Sequence, residues 1–350
     1  MTSRARRLSV APMMDWTDRH CRYLHRLLSR EVLLYTEMVT ADAVLRGDRE
    51  RLLGWSPEEA PVALQLGGSE PETLAEAVRI AVSYGYGEIN LNVGCPSDRV
   101  QSGAFGACLM RQPDLVARSA AAMIDAAGGR AEITIKCRIG VDEQDPEVVL
   151  PDFLDRIAAV GARHVAIHAR KAWLDGLSPK ENRDVPPLDY PLALRMKRER
   201  PALSISLNGG ITSLDEAEAH LADGFDGVMI GRAAYHDPVA ILAPADVRIF
   251  GAARAPVSAE DAVLAMLPYI EARMGAGDRL NMITRHMLPL FQGRPGARRW
   301  RRILSEGAHK PGAGPELVAE ALAAVEPPQD PATDVDASLA QVRPGRRAVA

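Results

Sequence analysis

Residues 203–232 read LSISLNGGITSLDEAEAHLADGFDGVMIGR. An apolar run, LSISLNGG (203–210), ends in glycines, and a helix-period stretch follows with Ser213 and Glu216 spaced as a capping box. A second apolar run, FDGVMIGR (225–232), again ends in glycine before an arginine. This is a strand, a helix and a strand, the unit from which parallel sheets are built. Working outward, six more runs of the same kind appear: LSVAPM (8–13), VLLYTEM (32–38), VALQLG (62–67), EINLNVG (88–94), EITIKCRIG (132–140) and HVAIHAR (164–170). Helix-period stretches lie between them, one opened by Ser69 and Glu72 as a second capping box, another by Pro113 in its first turn. Eight strands with seven intervening helices predict an α/β fold, a (β/α)8 TIM barrel. A doubly wound sheet is the alternative, weakened because no G-x-G-x-x-G follows the first strand.

After Phe250 the strand-like runs stop. Helical pattern covers 257–274, 278–291, 296–306 and 314–325, predicting a catalytic barrel over 1–250 and a small all-helical domain over 251–325. The stretch 326–350 has four prolines and no periodicity, the composition of a disordered tail. With 350 residues, 47% hydrophobic, the chain is long enough to bury a large core. Four cysteines without a C-x-x-C pair argue against a disulfide scaffold and against a zinc or iron-sulfur site. Reduced thiols, no run of about 18 apolar residues and no export signal place the protein in the cytoplasm, off the membrane and without a metal.

Barrel active sites sit at the C-terminal strand ends, and those ends are polar here. In order they carry Met13 and Asp15, Glu37, Gln65, Asn90 and Asn92, Lys136 and Arg138, His168 and Arg170, Asn208, and Arg232. NGGI (208–211) and IGRAA (230–234) end the seventh and eighth strands, where many barrels bind phosphate through backbone N–H groups. Arg232 adds a charged donor there; glycines at helix entries also serve purely steric ends. Gln65, Lys136 and His168 would converge on the mouth and suit a ligand that gains negative charge, such as a flavin on reduction. A lysine at such a place also forms Schiff bases, and the residues alone leave both readings open. Cys95 lies in the long loop NVGCPSDRVQSGAFGACLM (92–110), where a catalytic loop would be placed. Its thiol can donate a proton or act as a nucleophile; a packing role is the alternative, and the one assigned to Cys21, Cys108 and Cys137.

From Arg279 to Lys310 there are eight Lys or Arg against one acid, Glu306, while the whole chain is at −4. Such a patch, with Trp300 amid the arginines and His286 and Phe291 nearby, has the composition of a phosphodiester-binding surface. Arg298, Arg301 and Arg302 share one helical face. The long connection HARKAWLDGLSPKENRDVPPLDY (168–190) carries Lys171, Trp173, Lys180 and Arg183, and reads either as a second binding segment or as an excursion tied down by Pro179, Pro186 and Pro187.

APMMDWTDRHCR, LLYTEMV, VALQLGGS, EINLNVGCPSDRVQ, IKCRIG, HARKAWLDGLSPKENRDVPPLDYP, NGGI, DGVMIGRAAY and ITRHMLPLFQGRPGARRWRRILSEGAHK together resemble the tRNA-dihydrouridine synthases of the A subfamily, from about Leu8 to Val325. The resemblance implies an FMN-binding barrel and a helical tRNA-binding domain that together convert uridine to 5,6-dihydrouridine in the tRNA D-loop, at the uridines called 20 and 20a, with NADPH as reductant. It implies that Pro12, Met13 and Met14 lie against the flavin, that Gln65, Lys136 and His168 contact its rings, and that Asn208, Gly209, Gly210, Gly231 and Arg232 hold its ribityl phosphate. Hydride from flavin N5 would reach C6 of the uracil, and Cys95 would be the general acid at C5. Asn92, Lys180 and Arg183 would meet the tRNA in the barrel, and Arg298 and Arg301 would orient it. Cys137 stands where threonine is expected in I-K-x-R-I-G and should point away from the site. A monomer is expected, since a large RNA must reach the functional surface. Three rivals remain at this point: a small-molecule flavin reductase, a Schiff-base barrel built on Lys136, and a tRNA-binding protein without the reaction.

Overall fold

The computed structural model describes residues 4–97 and 103–326. Eight strands, β1 (Leu8–Val10), β2 (Leu33–Thr40), β3 (Val62–Gly67), β4 (Glu88–Val93), β5 (Glu132–Arg138), β6 (His164–His168), β7 (Ser204–Asn208) and β8 (Gly227–Ile230), pair in parallel and close into a barrel in sequence order, β8 returning to β1. The TIM barrel is therefore as the sequence predicts, and all eight runs are strands. Several runs overshoot: LSVAPM pairs only to Val10 and HVAIHAR only to His168. Beyond those points the chain leaves the ladder to form the mouth.

Around the strands lie α1 (Arg19–Leu28), α2 (Ala41–Arg46), α3 (Arg49–Leu53), α4 (Pro71–Val82), α5 (Pro113–Ala127), α6 (Pro146–Ala159), α7 (Tyr190–Glu199), α8 (Leu214–Asp223) and the short α9 (Arg232–His236), α10 (Pro238–Leu242) and α11 (Ala245–Arg248). Each long helix lays an apolar stripe on the outside of the barrel, such as Leu74 and Val78 of α4 or Leu150, Leu154 and Ile157 of α6, all fully buried. Each such side chain contributes about 1.5–3 kcal/mol. Pro113 opens α5 as predicted, and Ser213 caps α8 by accepting the N–H of Glu216. The Glu216 carboxylate, however, accepts from Thr212 N rather than closing the box on Ser213. The expected Ser69–Glu72 box does not form: α4 begins at Pro71, whose fixed φ suits the first helical position, and this makes Glu70 the cap residue.

The chain divides into two compact units between Pro268 and Tyr269, inside α12 (Ala259–Gly275). The second unit continues with α13 (Leu280–Thr284), α14 (Ala297–Gly307) and α15 (Pro315–Ala323). The helix expected over 278–291 stops at Thr284, and turns follow. Pro289 explains this: it has no N–H for a helical bond and its ring would meet the carbonyl of Arg285. Gly307 lets α14 and α15 approach closely, since a Cβ there would lie 2.8 Å from Leu317 Cδ2. The tail from 327 lies outside the described residues, as does 98–102 of the loop that follows Cys95. Among the described residues no helix is long and apolar enough to cross a membrane.

Candidate active site

A TIM barrel interior is usually filled by branched apolar side chains. Here one side follows that rule with small and apolar residues, Ala11, Leu33, Ala63, Ala166 and Met229. The other side is polar. On β4 the alternate residues Glu88, Asn90 and Asn92 all face inward, because strand side chains repeat every two residues. Strand register sets Asn90 beside Gln65 of β3 and Thr134 of β5. Asn90 Nδ2 donates to Thr134 Oγ1 (2.9 Å), Gln65 Nε2 donates to Asn90 Oδ1 (2.8 Å), and Asn92 Nδ2 donates to Gln65 Oε1 (2.8 Å). Below them, Thr134 and Tyr35 hydroxyls donate to Glu88 Oε1 at 2.8 and 2.6 Å, and Arg6 pairs with Glu88 at 3.0 Å and with Glu132.

At the upper end of this chain Asn92 Oδ1 accepts the backbone N–H of Gly94 and of Cys95. Cys95 also fixes its own carbonyl on Ala107 N (2.9 Å), and its partly exposed thiol donates to Ser97 Oγ (3.5 Å). The other thiols are differently placed. Cys137 points out of the barrel under the helices, as predicted, where burial pushes its thiol up to about 12. Cys21 is buried against His25, and Cys108, raised by burial, donates to Phe105 O.

Beside Cys95 stands a group of cations. Lys136 is register partner to Asn92, and burial with Arg138 nearby lowers its ammonium to about 8. Among the described residues its Nζ has no hydrogen-bond or ion-pair partner. Arg138, lowered to about 10 by burial, holds two loops at once through Gly94 O (3.1 Å) and Asn182 O (2.9 Å). Burial and the cations Arg138 and Lys136 push His168 well below its ordinary value, so its ring is neutral at physiological pH. Arg170 donates to Pro186 O, while its Nε is buried without a partner among the described residues. Cations collected with so little counter-charge fit an anionic ligand.

Gly209 and Gly210 take φ of +109° and +73°, and a Cβ on Gly209 would lie 2.5 Å from His168 Cδ2. Both glycines are thus required by their own surroundings, whatever else binds there. Asn208 Nδ2 donates to Met229 O (2.8 Å), tying β7 to β8. Gly231 faces Ala11 and Met13, whose Cβ and Sδ would each lie 3.7 Å from an added Cβ, an ordinary contact. Arg232 is engaged by Asp184 at 2.6 Å, and this pairing holds the Asp184 carboxyl below its usual range. Pro12 and Met13 are partly buried and Met14 is exposed, after β1. The donors present fit a flavin mononucleotide: an unpartnered cation and amide donors for the rings, and backbone N–H groups near Gly231 for a phosphate.

The long connection after β6 is ordered around Asn182, which is fully buried and bonds Trp173 N (2.7 Å), Trp173 O (2.8 Å) and Leu177 O (3.0 Å). This amide, with Arg138, ties the loop down; the prolines are not its main anchors. Lys180 and Arg183 stay exposed.

In the second unit, Arg298, Arg299, Arg301 and Arg302 are all exposed on α14 and have no ion-pair partner among the described residues. The aromatic part of the predicted RNA surface needs correction. Trp300, Phe291 and His286 are buried; Trp300 packs edge-on against Phe291 at 4.9 Å and donates to Met287 O. Ala297, Trp300, Leu304 and Gly307 form the inward stripe of α14, so adjacency in sequence to the arginines puts Trp300 on the opposite face.

Glu88, Thr134 and Asn182 were not singled out from sequence. Glu88 was legible as the first of three alternate polar positions on one strand; Thr134 and Asn182 act only through register and loop geometry.

A family profile described as Dihydrouridine synthase (Dus) matches residues 9–326. The chain is 56% identical to the tRNA-dihydrouridine(20/20a) synthase of Xanthomonas campestris pv. campestris over 90% of this chain and 92% of the relative. It is 57% identical to the protein of the same name from Vibrio cholerae (91% and 96%) and 56% identical to that of Escherichia coli O6:H1 (91% and 95%). Among solved structures, an old yellow enzyme homologue from Zymomonas mobilis superposes with a TM-score of 0.50 at 13% identity, covering 71% of this chain and 89% of that one. A 2-naphthoyl-CoA reductase complex gives 0.53 at 13%, covering 69% and 49%. These two likenesses speak for the barrel fold alone.

Proposed function

The chain belongs to the dihydrouridine synthase family, and on that premise we propose that it reduces uridine to 5,6-dihydrouridine in the D-loop of tRNA, at positions 20 and 20a, with FMN as cofactor and NADPH as reductant. It works in the cytoplasm, as a monomer and without a metal. The observation that carries the reading is Cys95: a partly exposed thiol anchored through Asn92 at the barrel mouth, within electrostatic reach of Lys136, Arg138 and Arg183.

Flavin mononucleotide, when bound and reduced, supplies a hydride to C6 of the uracil ring. Pro12, Met13 and Met14 line its place, Gln65, Lys136 and His168 meet its rings, and Asn208, Gly209, Gly210, Gly231 and Arg232 hold its phosphate. For Arg232 this means exchanging Asp184 for the ligand. Neutral His168 can donate one ring N–H without adding charge. Cys95 gives its Sγ proton to C5 and keeps the electron pair as a thiolate, with Lys136 and Arg138 nearby. A D-loop uracil reaches this thiol only when flipped out of its stack. Asn92, Lys180 and Arg183 meet the flipped nucleotide, and Arg298 and Arg301 take phosphates of the same RNA, offsetting part of the flipping cost.

The test is incubation of the purified protein with FMN, NADPH and an unmodified tRNA transcript, followed by mass mapping. A gain of two hydrogens on uridines 20 and 20a is expected; a transcript of unchanged mass contradicts the proposal.

A further inference from the structure

We propose that the Glu88 carboxylate, at the lower end of the barrel interior, dictates through Thr134 and Asn90 which way the side-chain amides of Gln65 and Asn92 face, making Glu88, Thr134 and Asn90 positioning residues for the mouth. The argument needs only hydrogen-bond valence. Glu88, paired with Arg6, has oxygens that accept and nothing to give. Thr134 Oγ1 lies 2.8 Å from Glu88 Oε1, so its single proton points down to the carboxylate. Its oxygen is then an acceptor toward Asn90, which must present Nδ2. Asn90 Oδ1 consequently faces Gln65, which must present Nε2; Gln65 Oε1 faces Asn92, which must present Nδ2. Asn92 Oδ1 is left to accept the N–H groups of Gly94 and Cys95.

Turning over one amide alone would set oxygen against oxygen at the bond below it and N–H against N–H at the bond above it; turning over every amide above it as well would only move that second clash to the backbone N–H groups of Gly94 and Cys95. All these side chains are buried, so water does not repair a wrong orientation, and a mismatched pair leaves buried polar atoms without partners. Two consequences follow. The loop bearing the thiol is clamped by an oxygen whose identity is set across three strands. The second N–H of Gln65 Nε2 is offered as a donor, so the ladder favours a ligand with an acceptor at that edge. This second consequence rests on the functional reading above; the first does not.

The test is the rate at which iodoacetamide alkylates Cys95 in flavin-free protein, followed by peptide mass, together with FMN affinity from fluorescence quenching. Thr134→Val keeps the shape and removes the hydroxyl; Thr134→Ser restores it. Thr134→Val should alkylate severalfold faster and bind FMN at least about tenfold more weakly, the size of one lost buried hydrogen bond, while Thr134→Ser stays within about twofold of the parent. If Thr134→Val fails to fold, Glu88→Gln, which can donate to Thr134 and reverse the chain, is measured in its place with the same expectation. A Thr134→Val rate matching the parent, or Thr134→Ser behaving like Thr134→Val, overturns the proposal. Neither readout involves tRNA turnover, so a parent that leaves tRNA uridines unreduced would overturn the function and leave the ladder standing.

Discussion

The side-chain oxygen of Asn92 accepts the backbone N–H of Cys95 at 3.0 Å, so a residue of β4 anchors the thiol beside the contacts its own loop supplies through Ser97 and Ala107. The same oxygen holds Gly94 N, and one N–H of Asn92 Nδ2 goes to Gln65 Oε1. Asn92→Ala would leave two backbone donors and one amide oxygen without partners. We expect a loss of about 1–3 kcal/mol in stability and a fall in kcat of at least about tenfold, read by thermal melts and single-turnover assays.

Cys95→Ala tests the proton donor alone. The variant should retain yellow colour and tRNA affinity and lose most of its turnover, by about 10²–10⁴-fold as for a removed general acid. Turnover equal to the parent would remove that role from Cys95.

Lys136 supplies a pH signature. Its ammonium, lowered to about 8 by burial and by Arg138, is charged below that value and neutral above it. FMN affinity should therefore fall as pH rises from about 7 to 9, because the cation facing an electron-rich ring edge is lost. Lys136→Met should bind more weakly at pH 7 and lack this dependence. Quenching titrations at several pH values check it; an identical slope in both proteins would contradict the assignment.

Arg298 and Arg301 are exposed and have no acidic partner among the described residues, so changing both to Ala should leave the fold intact. Affinity for tRNA should drop, and the slope of log K against log salt should flatten by about one to two. An unaltered slope would show that these arginines do not neutralise phosphates.

Much of this was legible in sequence, for identifiable reasons. Strands buried on both faces leave short Val, Ile and Leu runs, so all eight were visible, whereas their ends were not, because APM after Val10 is as apolar as the strand before it. The strand-end residues around the mouth were visible because polar groups are out of place at the ends of such runs. What escaped depended on distance along the chain. Thr134 joins Asn90 only through the register of β4 and β5, and Arg22 joins Glu59 in a buried pair that no local pattern announces. Trp300 was misread for the opposite reason: its neighbours in sequence are arginines, yet the helix turns it to the other side.

The most direct measurement is an absorbance spectrum of the purified protein under anaerobic conditions, taken before and after NADPH and again after unmodified tRNA. Flavin bands that bleach with NADPH and return with tRNA are the predicted result, since both half-reactions are then seen in one cuvette. Bands that bleach but stay bleached with a competent transcript, or a colourless protein that FMN does not reconstitute, would contradict the account.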